Sequence, residues 1–504
     1  MKGKVYLVGS GPGDPGLITV KGLNCILKAD VIVYDFLASP VLVNQNSTNA
    51  ELIYVGKRSS DHTLSQDKIN ELLVSKAKQG KIVTRLKGGD PFIFGRGGEE
   101  AEILAQEHIP FEIVPGISSG IAAPTYAGIP LSHRQYTSTI SFITGHEDPT
   151  KESTNINWAS LAKGIGTLVF FMGVKNLKNI IQNLIQNGKS PQTPVAIIRW
   201  GTTPKQTTIY GTCQDIEQKV RTAGLKPPAI IVIGEVVELR KNLNWFESRP
   251  LFGKTIVVTR ARNQASDIVN LLTQAGANCI ECPTIKVAPP LEWEEIDKAI
   301  DNISTYDWLV FTSVNGVLYF FERLYLKNKD VRILGHIKTA CIGPQTANQL
   351  RTYGITTDVL PKTYQAESVV DSFKNIEITR KKILLPRAEQ ARPILPVELK
   401  KMGAVVDEIT VYRTLPVFEN KEDLLENLEN NSIDIITFTS SSTVTNFIKM
   451  LPEDKFSDLM KNVTCASIGP ITADTAKKHN IDIQIIADEF TINGLYNAIL
   501  NYYK

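Results

Sequence analysis

The sequence predicts an α/β protein of several domains with mainly parallel β-sheets. Short runs of β-branched and aromatic residues alternate along the chain with glycine or proline turns and amphipathic stretches. This alternation is typical of parallel strands covered by helices. The 504 residues exceed the size at which a single hydrophobic core stops growing, so more than one domain is expected. Ligands of such folds bind in loops at the carboxyl ends of strands, so we expect the functional residues there.

Composition and charge exclude several classes of protein. The net charge of +3 offers no general attraction to nucleic acid. The six cysteines are too few for a disulfide scaffold, and Cys279 and Cys282 form a CxxC without a second pair or nearby histidine. We therefore expect buried thiols there and no metal site. The sequence shows neither a signal peptide nor a run of about 18 apolar residues, which predicts a cytoplasmic protein that does not contact membranes.

The strand and helix rhythm also predicts where domains divide. It pauses at residues 241–253 and starts afresh at Lys254, which indicates a linker. A lesser hinge is indicated around Pro110 to Pro115. The second half contains a weak internal repeat that predicts two similar lobes facing one another across a cleft. In this repeat FTSVNGV (311–317) and CIGPQTA (341–347) are echoed by FTSSSTV (438–444) and SIGPITA (467–473).

A glycine-rich loop follows the first strand, in VYLVGSGPGDPGLITVKGL (5–23). Glycines there let the backbone approach a nucleotide-like ligand without a Cβ clash. Asp35 closes the next strand, where the ribose-binding acid of a dinucleotide site would lie. However, the glycine spacing is GxGxG with Pro12 interposed and not GxGxxG. The loop alone therefore favours a nucleotide-like ligand, with dinucleotide binding as the lesser alternative.

Further motifs in the first half make the prediction more specific. They are VTRLKGGDPFIFGRGGEE (83–100), PGISSGIAAPTYAGIPLSHR (115–134), VFFMGV (169–174), AIIRWGTTPKQTTIYG (196–211) and PPAIIVIGEVVELR (227–240). Together with the glycine loop they resemble the tetrapyrrole methylase family, and most closely its uroporphyrinogen-III C-methyltransferase branch. The resemblance covers residues 1–246 and implies a fold with lobes of about 1–113 and 114–246. It also implies an S-adenosylmethionine pocket between the lobes and a homodimer formed through this half.

The resemblance carries a set of cofactor contacts onto this chain. They fall on Pro12, Gly88, Gly89, Asp90, Ile93, Ser118, Ser119, Met172 and Gly201. In KGGD two glycines end a strand, so backbone groups are accessible to a ligand, and the aspartate can accept hydrogen bonds from ribose hydroxyls or an amino group. Met172 offers a soft apolar surface for an adenine face. Without the resemblance, ordinary core packing explains Met172 equally well.

The resemblance also places catalytic and substrate-binding roles. Asp35, which ends VIVYD, matches a family residue expected to remove a proton, and Lys57, in YVGKR, matches its acid or charge-stabilising partner. On the sequence alone, a solvated acid and a solvated lysine at strand ends are the favoured interpretation of both residues. The tetrapyrrole substrate is rich in carboxylates, which arginines bind through two parallel hydrogen bonds. The candidates for this are Arg58, Arg85, Arg96 and Arg134.

Residues 254–504 contain no serine triad, metal-ligand set or phosphate loop. The pattern resembles the uroporphyrinogen-III synthase family. The resemblance rests on a TRA start, the four repeat motifs, EITVYRT (408–414) and DEFTINGLYNAI (488–499). It implies two α/β lobes between which the chain crosses twice, at CPTIKV and EITVYR. Lobe one would comprise 254–286 with 414–504 and lobe two 287–413, with residues 247–253 as the linker to the first half.

The synthase resemblance implies hydroxymethylbilane as substrate, which the enzyme shapes so that the last ring inverts on closure. Tyr412 matches a family tyrosine thought to assist loss of the hydroxyl, although a packed strand tyrosine is an equal alternative. Ser442 and Thr472 match cleft residues expected to hold acetate or propionate groups, and Arg260, Arg387 and Arg413 are weaker candidates. The chain reads SSST at 440–443 where the family often has Ser-Pro-Ser-Gly, which puts the contacts there in doubt.

The two resemblances together predict one chain that makes uroporphyrinogen III and methylates it twice to precorrin-2, on the route to siroheme or cobalamin. The product of the second half would be the substrate of the first. The alternative is a methylase for a later corrinoid, joined to a noncatalytic ligand-binding module.

Overall fold

The computed structural model of the chain describes residues 3–45, 50–56, 64–146, 156–260, 262–363 and 365–504. It divides the chain into two compact units. The first comprises residues 1–255, 271–278 and 503–504, and the second comprises 256–270 and 279–502. Among the described residues the strands form four five-stranded sheets, two in each half of the sequence.

The first sheet is parallel throughout, in the order β3-β2-β4-β1-β5. Its strands are β1 (Lys4–Gly9), β2 (Val31–Tyr34), β3 (Glu51–Tyr54), β4 (Ile82–Lys87) and β5 (Phe111–Val114), and its helices are α1 (Val20–Leu27), α2 (Pro40–Val43), α3 (Gln66–Lys78) and α4 (Gly97–Gln106). Leu7 and Val8 are both fully buried but belong to different cores, because successive strand side chains point to opposite faces. Both faces are covered, as a parallel sheet requires.

The second sheet is mixed, with the order β6-β7-β10-β8-β9. The elements are α5 (Ser119–Tyr126), β6 (Ile140–Thr144), α6 (Trp158–Gly164), β7 (Thr167–Phe171), α7 (Leu177–Gln186), β8 (Pro194–Arg199), β9 (Thr207–Thr212), α8 (Ile216–Thr222), β10 (Ala229–Ile233) and α9 (Arg240–Leu243). Only β6 and β7 pair in parallel, while β7/β10, β10/β8 and β8/β9 are antiparallel. The expectation of mainly parallel sheets is thus wrong here. The loop between β8 and β9 is too short for a crossover, so these strands form a hairpin.

The third and fourth sheets belong to the second half of the chain, with the orders β12-β11-β18-β19-β20 and β13-β17-β16-β14-β15. Their strands are β11 (Thr255–Val258), β12 (Asn278–Glu281), β13 (Ile285–Ala288), β14 (Trp308–Phe311), β15 (Lys338–Cys341), β16 (Lys382–Ala388), β17 (Val405–Pro416), β18 (Ile435–Phe438), β19 (Thr464–Ser467) and β20 (Ile485–Ile486). Strand β13 pairs antiparallel with the end of the long β17, and the other pairings within the fourth sheet are parallel.

Helices cover these two sheets. They are α10 (Arg262–Gln274), α11 (Glu294–Asp301), α12 (Val314–Leu326), α13 (Pro344–Thr352), α14 (Ala366–Phe373), α15 (Ile394–Lys401), α16 (Lys421–Glu429), α17 (Ser441–Met450), α18 (Phe456–Met460), α19 (Pro470–Lys478) and α20 (Ile492–Tyr502). Aromatic side chains fill the core under α12, where Phe311, Phe320 and Phe321 are fully buried. The α/β fold class predicted from the sequence is confirmed.

Two further expectations concern cysteines and membranes. None of the six cysteines forms a disulfide. Cys282 is buried, as expected for the CxxC, whereas Cys279 is only half-buried. Within the described residues no set of three or more histidine, cysteine or acidic side chains is placed to hold a metal ion. No helix in that part of the chain is long and apolar enough to cross a membrane.

Candidate active sites

Three loops of the first sheet meet at a junction made of glycine backbone. Strands β1 and β4 end side by side, with Gly9 opposite Lys87, and β5 lies on the other side of β1. Gly11 and Gly89 exchange two backbone hydrogen bonds, at 3.2 and 2.7 Å. A Cβ on Gly116 would lie 2.4 Å from the Gly89 oxygen, and one on Gly9 would lie 2.6 Å from Gly116. Only glycine permits this approach, which brings the loops after β1, β4 and β5 together.

Beside this junction Gly89 lies next to the start of helix α5. Its φ is +69°, and a Cβ built on it would come no nearer than 3.7 Å to Ser119 N and 3.9 Å to Ser118 Cα. Ser118 is buried and caps helix α5 by accepting from Gly120 N, so the first turn of this helix lies beside Gly89. Asp90 closes the loop, because its carboxylate accepts from Phe92 N at 2.8 Å and from Gly116 N at 3.0 Å.

Apolar side chains from both sheets surround the same strand ends. Ile93 is 38% exposed and Met172 is 54% exposed, with Met172 in the left-handed region at φ 56°. Phe94 packs on Phe171, the last residue of β7, with ring centroids 5.0 Å apart, so the loop after β4 contacts the end of β7. Because more than half of the Met172 side chain is exposed, Met172 is not an ordinary residue of the hydrophobic core.

The glycine-rich loop after β1 is tied to the loop after β8. Asp14 N donates to Thr202 Oγ1 at 3.0 Å, and a Cβ on Gly13 would lie 2.6 Å from Thr203 Cγ2. Gly201 packs directly on α5, since a Cβ there would lie 2.3 Å from Ala123 Cβ. Pro12 lies half-buried in this loop. The structure therefore brings the cofactor contacts expected from the sequence to one region where the strand ends of both sheets meet.

Asp35 lies at the end of β2, at the edge of this region. Its Oδ1 accepts from Leu37 N at 3.1 Å and its Oδ2 accepts from Arg85 Nη2 at 3.2 Å. The loop after Asp35 touches the KGGD segment, since a Cβ on Gly88 would lie 2.5 Å from Leu37 Cβ. The side chain of Asp35 is 27% exposed, so the carboxylate is oriented by protein groups while remaining accessible.

Below Asp35 lies a buried charge cluster formed by Arg85, Lys87 and Glu100. Glu100 Oε1 accepts from Lys87 Nζ at 2.8 Å and from Arg85 Nε at 3.3 Å, and Gln66 Nε2 donates to it at 3.2 Å. Glu100 Oε2 is buried and finds no hydrogen-bond partner among the described residues. Burial, with the nearby Arg85 charge, lowers the pKa of Lys87. Two cations share one fully buried carboxylate, so loss of Glu100 would remove the anion that both cations contact.

The four arginines expected to bind substrate carboxylates lie in different settings. Arg85 is buried and its guanidinium is taken up by Glu100, Asp35 and backbone oxygens. Arg96 is exposed at the start of α4 and forms a two-pronged pair with Glu99, at 3.0 and 2.6 Å. Arg134 is exposed in the turn before β6. Arg58, together with the catalytic candidate Lys57, lies outside the described residues.

Sequence reasoning missed Lys87 and Glu100, although a signal was present. Arg85 and Lys87 are two residues apart in a strand predicted to be buried, so their side chains share one face and both charges need an internal partner. Nothing in the sequence selected Glu100 over Glu99, which lies beside it in GRGGEE. In the structure Glu100 is fully buried whereas Glu99 is 53% exposed.

In the second half, Tyr412 lies near the end of β17 in the fourth sheet. Its hydroxyl donates to Ser313 Oγ at 3.1 Å, and its ring stacks on Tyr319 with centroids 6.0 Å apart. Ser313 ends the loop after β14 and caps α12 by accepting from Gly316 N at 3.0 Å. Burial raises the pKa of Tyr412, so the phenol stays protonated at neutral pH.

A buried arginine lies close to this tyrosine. Arg387 pairs with Glu408 Oε1 at 3.0 Å and donates to the Arg392 backbone oxygen at 2.8 Å, while its Nε finds no hydrogen-bond partner among the described residues. Its charge acts to lower the pKa of Tyr412, against the larger effect of burial. Arg413 instead donates to the Pro289 backbone oxygen at 3.0 Å.

Ser442 and Thr472 lie at the N-terminal ends of two neighbouring helices of the third sheet, α17 and α19. Ser442 Oγ lies 2.9 Å from Ser440 Oγ. The two helices are joined by the hydroxyls of Ser441 and Thr475, 2.7 Å apart. First-turn N–H groups and hydroxyls side by side form a surface suited to carboxylates, because the helix N-terminus favours anions. Burial lowers the pKa of Arg260, which follows β11 of the same sheet.

Thr443, which stands at the family's glycine position, has a structural role. It is fully buried and forms a capping box with Ser440 at the start of α17. Thr443 Oγ1 donates to Ser440 O at 2.7 Å and accepts from Ser440 N at 3.3 Å. The threonine side chain therefore folds back onto the helix start, where it satisfies backbone groups.

Comparison with known proteins assigns both halves. A family model described as Tetrapyrrole (Corrin/Porphyrin) Methylases matches residues 4–217, and one described as Uroporphyrinogen-III synthase HemD matches residues 266–497. The Porphyrin biosynthesis protein HemD of Ruminiclostridium josui is 37% identical over 99% of this chain and 98% of its own length.

Relatives of the first half alone are more similar still. The uroporphyrinogen-III C-methyltransferase of Priestia megaterium is 55% identical over 47% of this chain and 98% of its own length. The S-adenosyl-L-methionine-dependent uroporphyrinogen III methyltransferase of Methanosarcina barkeri is 54% identical over 47% of this chain and 93% of its own. Both resemblances seen in the sequence are confirmed. The chain is a two-enzyme fusion of tetrapyrrole biosynthesis that belongs to the tetrapyrrole methylase family in its first half and to the uroporphyrinogen-III synthase family in its second.

Proposed function

We propose that the second half cyclises hydroxymethylbilane to uroporphyrinogen III and that the first half methylates this product twice, giving precorrin-2. The observation that carries the proposal is the meeting of three glycine-lined loops beside the accessible carboxylate of Asp35. We further propose that residues 1–246 and 254–504 are the two catalytic domains and that the methylase half forms a homodimer. The proposal also includes a cytoplasmic location for the protein and siroheme or cobalamin as the end product of the pathway.

The residues present fit S-adenosylmethionine as methyl donor. Gly89 leaves open the space where another residue would carry a Cβ, and the N-terminus of α5 borders it. Asp90 offers carboxylate oxygens to ribose or amino groups, and Met172 and Ile93 offer apolar surface to an adenine ring. Pro12, Gly88, Ser118, Ser119 and Gly201 would complete the pocket. When bound, the cofactor supplies an electrophilic methyl group on sulfur.

For methyl transfer the protein must position a pyrrole carbon and remove a proton. The carbon nucleophile of an electron-rich tetrapyrrole needs no activated serine or thiol, so orientation in a water-poor cleft supplies most of the effect. We propose that Asp35 takes the proton, because its carboxylate is accessible and is aimed by Arg85 and Leu37 N. Lys57 would stabilise developing charge, and Arg58, Arg96 and Arg134 would bind substrate carboxylates.

Arg85 has a different part in this proposal. Its guanidinium is buried against Glu100 and Asp35, so it acts on the substrate only through Asp35. Arg85, itself held by Glu100, fixes the position of that carboxylate.

For ring closure we propose that Tyr412 donates a proton to the departing hydroxyl of hydroxymethylbilane. Burial keeps the phenol protonated, and its bond to Ser313 orients it. Ser442 and Thr472, at the ends of α17 and α19, would hold acetate or propionate groups through hydroxyls and backbone N–H groups. This arrangement supplies positioning rather than a strong acid–base pair, which suits a substrate able to close unaided to the wrong isomer.

One experiment tests both reactions. The purified chain is incubated with hydroxymethylbilane and S-adenosylmethionine, and the products are resolved by mass and isomer. A dimethylated type-III product is expected. Unmethylated uroporphyrinogen III would contradict the methylase assignment and favour a later corrinoid as its substrate, whereas only the type-I skeleton would contradict the synthase assignment and leave the second half as a noncatalytic binding module.

A further inference from the structure

Asp14, in the glycine-rich loop, is held on both of its carboxylate oxygens. Its Oδ1 accepts from Gly16 N at 2.8 Å, and its Oδ2 accepts from the Tyr126 hydroxyl at 2.7 Å. Its backbone N–H donates to Thr202 Oγ1 at 3.0 Å. The loop that follows β1 is therefore attached to the far end of α5 and to the loop after β8, in addition to its glycine contacts with Gly89.

Tyr126 is the last residue of α5, and its ring packs on the chain segment 243–249, here called the exit segment. The ring lies edge-on to Trp245 at 5.0 Å and to Phe246 at 4.8 Å between centroids. Trp245 Nε1 donates to the Thr125 backbone oxygen at 3.1 Å. Burial and the bond to Asp14 raise the pKa of Tyr126, so its hydroxyl remains a donor at any working pH.

The exit segment is itself fixed to the second sheet of the same unit. Glu247 accepts from Gln206 Nε2 at 2.8 Å and from Thr208 Oγ1 at 2.6 Å, and it pairs with Arg240. The guanidinium of Arg249 lies 4.7 Å from the Trp245 ring and 4.9 Å from the Phe246 ring. The two aromatic rings of this segment touch Tyr126, the tyrosine that holds Asp14.

We infer that Tyr126 is a positioning residue that fastens the glycine-rich loop to the exit segment, so that the packing of this segment governs how tightly the loop holds S-adenosylmethionine. The inference rests on the proposed function, because it assumes that this loop contacts the cofactor. Tyr126 bonds to Asp14 of the loop, so we expect its substitution to change the binding of the cofactor. The hydroxyl touches no group that we place in proton transfer, so the rate of methyl transfer at saturation should be preserved.

The test compares Tyr126→Phe with Trp245→Leu and with both together, in the full-length chain. Tyr126→Phe removes one hydroxyl and keeps the ring, so we expect a rise of about tenfold in the KM for S-adenosylmethionine and in the Kd for S-adenosylhomocysteine by calorimetry. The kcat and the KM for uroporphyrinogen III should stay within about twofold. Trp245→Leu should raise the cofactor KM about threefold alone and add nothing in the Tyr126→Phe background, because the link to Asp14 is already cut.

Control variants distinguish a specific effect on cofactor binding from a general destabilisation of the fold. Tyr210→Phe, exposed on the edge strand β9, should change neither constant. If Tyr126→Phe does not fold, Asp14→Ala removes the same bond together with the bond from Gly16 N, and must raise the cofactor KM at least as much. An unchanged cofactor KM, an equal loss in kcat and both KM values, or strictly additive effects would overturn the inference. A wild-type chain that binds no S-adenosylhomocysteine would instead sink the proposed function, and this inference with it.

Discussion

Arg85 orients the carboxylate of Asp35. Its Nη2 lies 3.2 Å from Asp35 Oδ2, and its Nε lies 3.3 Å from the buried Glu100 Oε1. The planar guanidinium of Arg85 thus contacts both the accessible carboxylate of Asp35 and the fully buried carboxylate of Glu100. The pair with Glu100 holds the guanidinium in place, and the guanidinium in turn orients Asp35. A lysine cannot make this connection, because its single nitrogen offers no fork.

The first prediction concerns this fork. Arg85→Lys keeps the charge but cannot reach both carboxylates, so we expect kcat for methylation to fall about tenfold with the cofactor KM unchanged. Asp35→Asn should cost about 10²- to 10⁴-fold, as expected for loss of a proton acceptor. Steady-state kinetics with uroporphyrinogen III measure both, with Arg221→Lys on the exposed face of α8 as the control. Full activity in Asp35→Asn would remove this residue from the mechanism.

The second prediction compares neighbouring glutamates. Glu100→Gln leaves the buried cations Arg85 and Lys87 without their shared anion, so the free energy of unfolding should fall by about 3–5 kcal/mol. Glu99→Gln breaks only the exposed pair with Arg96 and should change it by less than about 1 kcal/mol. Urea denaturation of the two variants gives the difference. Equal stabilities would show that the buried cluster is not held by Glu100.

The third prediction concerns the tyrosine in the second half. Tyr412→Phe should slow ring closure about 10²-fold or more if its hydroxyl donates the proton. Burial raises the pKa of Tyr412 above its usual value of 10.0, and the active form is the protonated one. Activity that depends on this hydroxyl should therefore persist as the pH rises to 10, after subtraction of the uncatalysed reaction. A decline with an apparent pKa below 10 would contradict the assignment.

Substitution of Ser313 provides a second test of the role of Tyr412. Ser313→Ala removes the acceptor of the Tyr412 hydroxyl and the cap of α12, so it should lower stability by about 1 kcal/mol and also slow ring closure. In the Tyr412→Phe background Ser313→Ala should slow the reaction no further, because the hydroxyl it orients is gone. A full additional loss of rate would mean that Ser313 acts on the substrate directly.

The fourth prediction concerns the cysteines. Burial raises the pKa of Cys282 and Cys465 to about 12 and of Cys213 and Cys341 to about 11. At pH 8 roughly one in 10³ to 10⁴ of these thiols is ionised, and the thiolate is the reactive form. Iodoacetamide should therefore modify half-buried Cys279 first in the folded chain and all six cysteines in urea. Peptide mass spectrometry resolves the order, and early labelling of Cys282 would contradict the packing described.

Local patterns in the sequence were sufficient to predict the buried strands and the glycine loops that follow them. Gly9, Gly11, Gly89 and Gly116 all follow buried runs, and parallel strands carry their following loops to one edge of the sheet. The mixed second sheet was not predicted, because the hydrophobic pattern of a buried strand does not record its direction. The direction of β9 depends on the short loop before it, which turns the chain back.

The sequence by itself determined the α/β class, the two families and the strand ends at which the candidate site residues lie, because these depend on residue type and local spacing. Only the tertiary structure decided which charges are paired. Arg85 was grouped with the substrate arginines, yet the fold buries it between Asp35 and Glu100, and Tyr126 reaches Asp14 across 112 residues. Such partners are distant in the chain and are selected by the packing of whole elements, which no local pattern encodes.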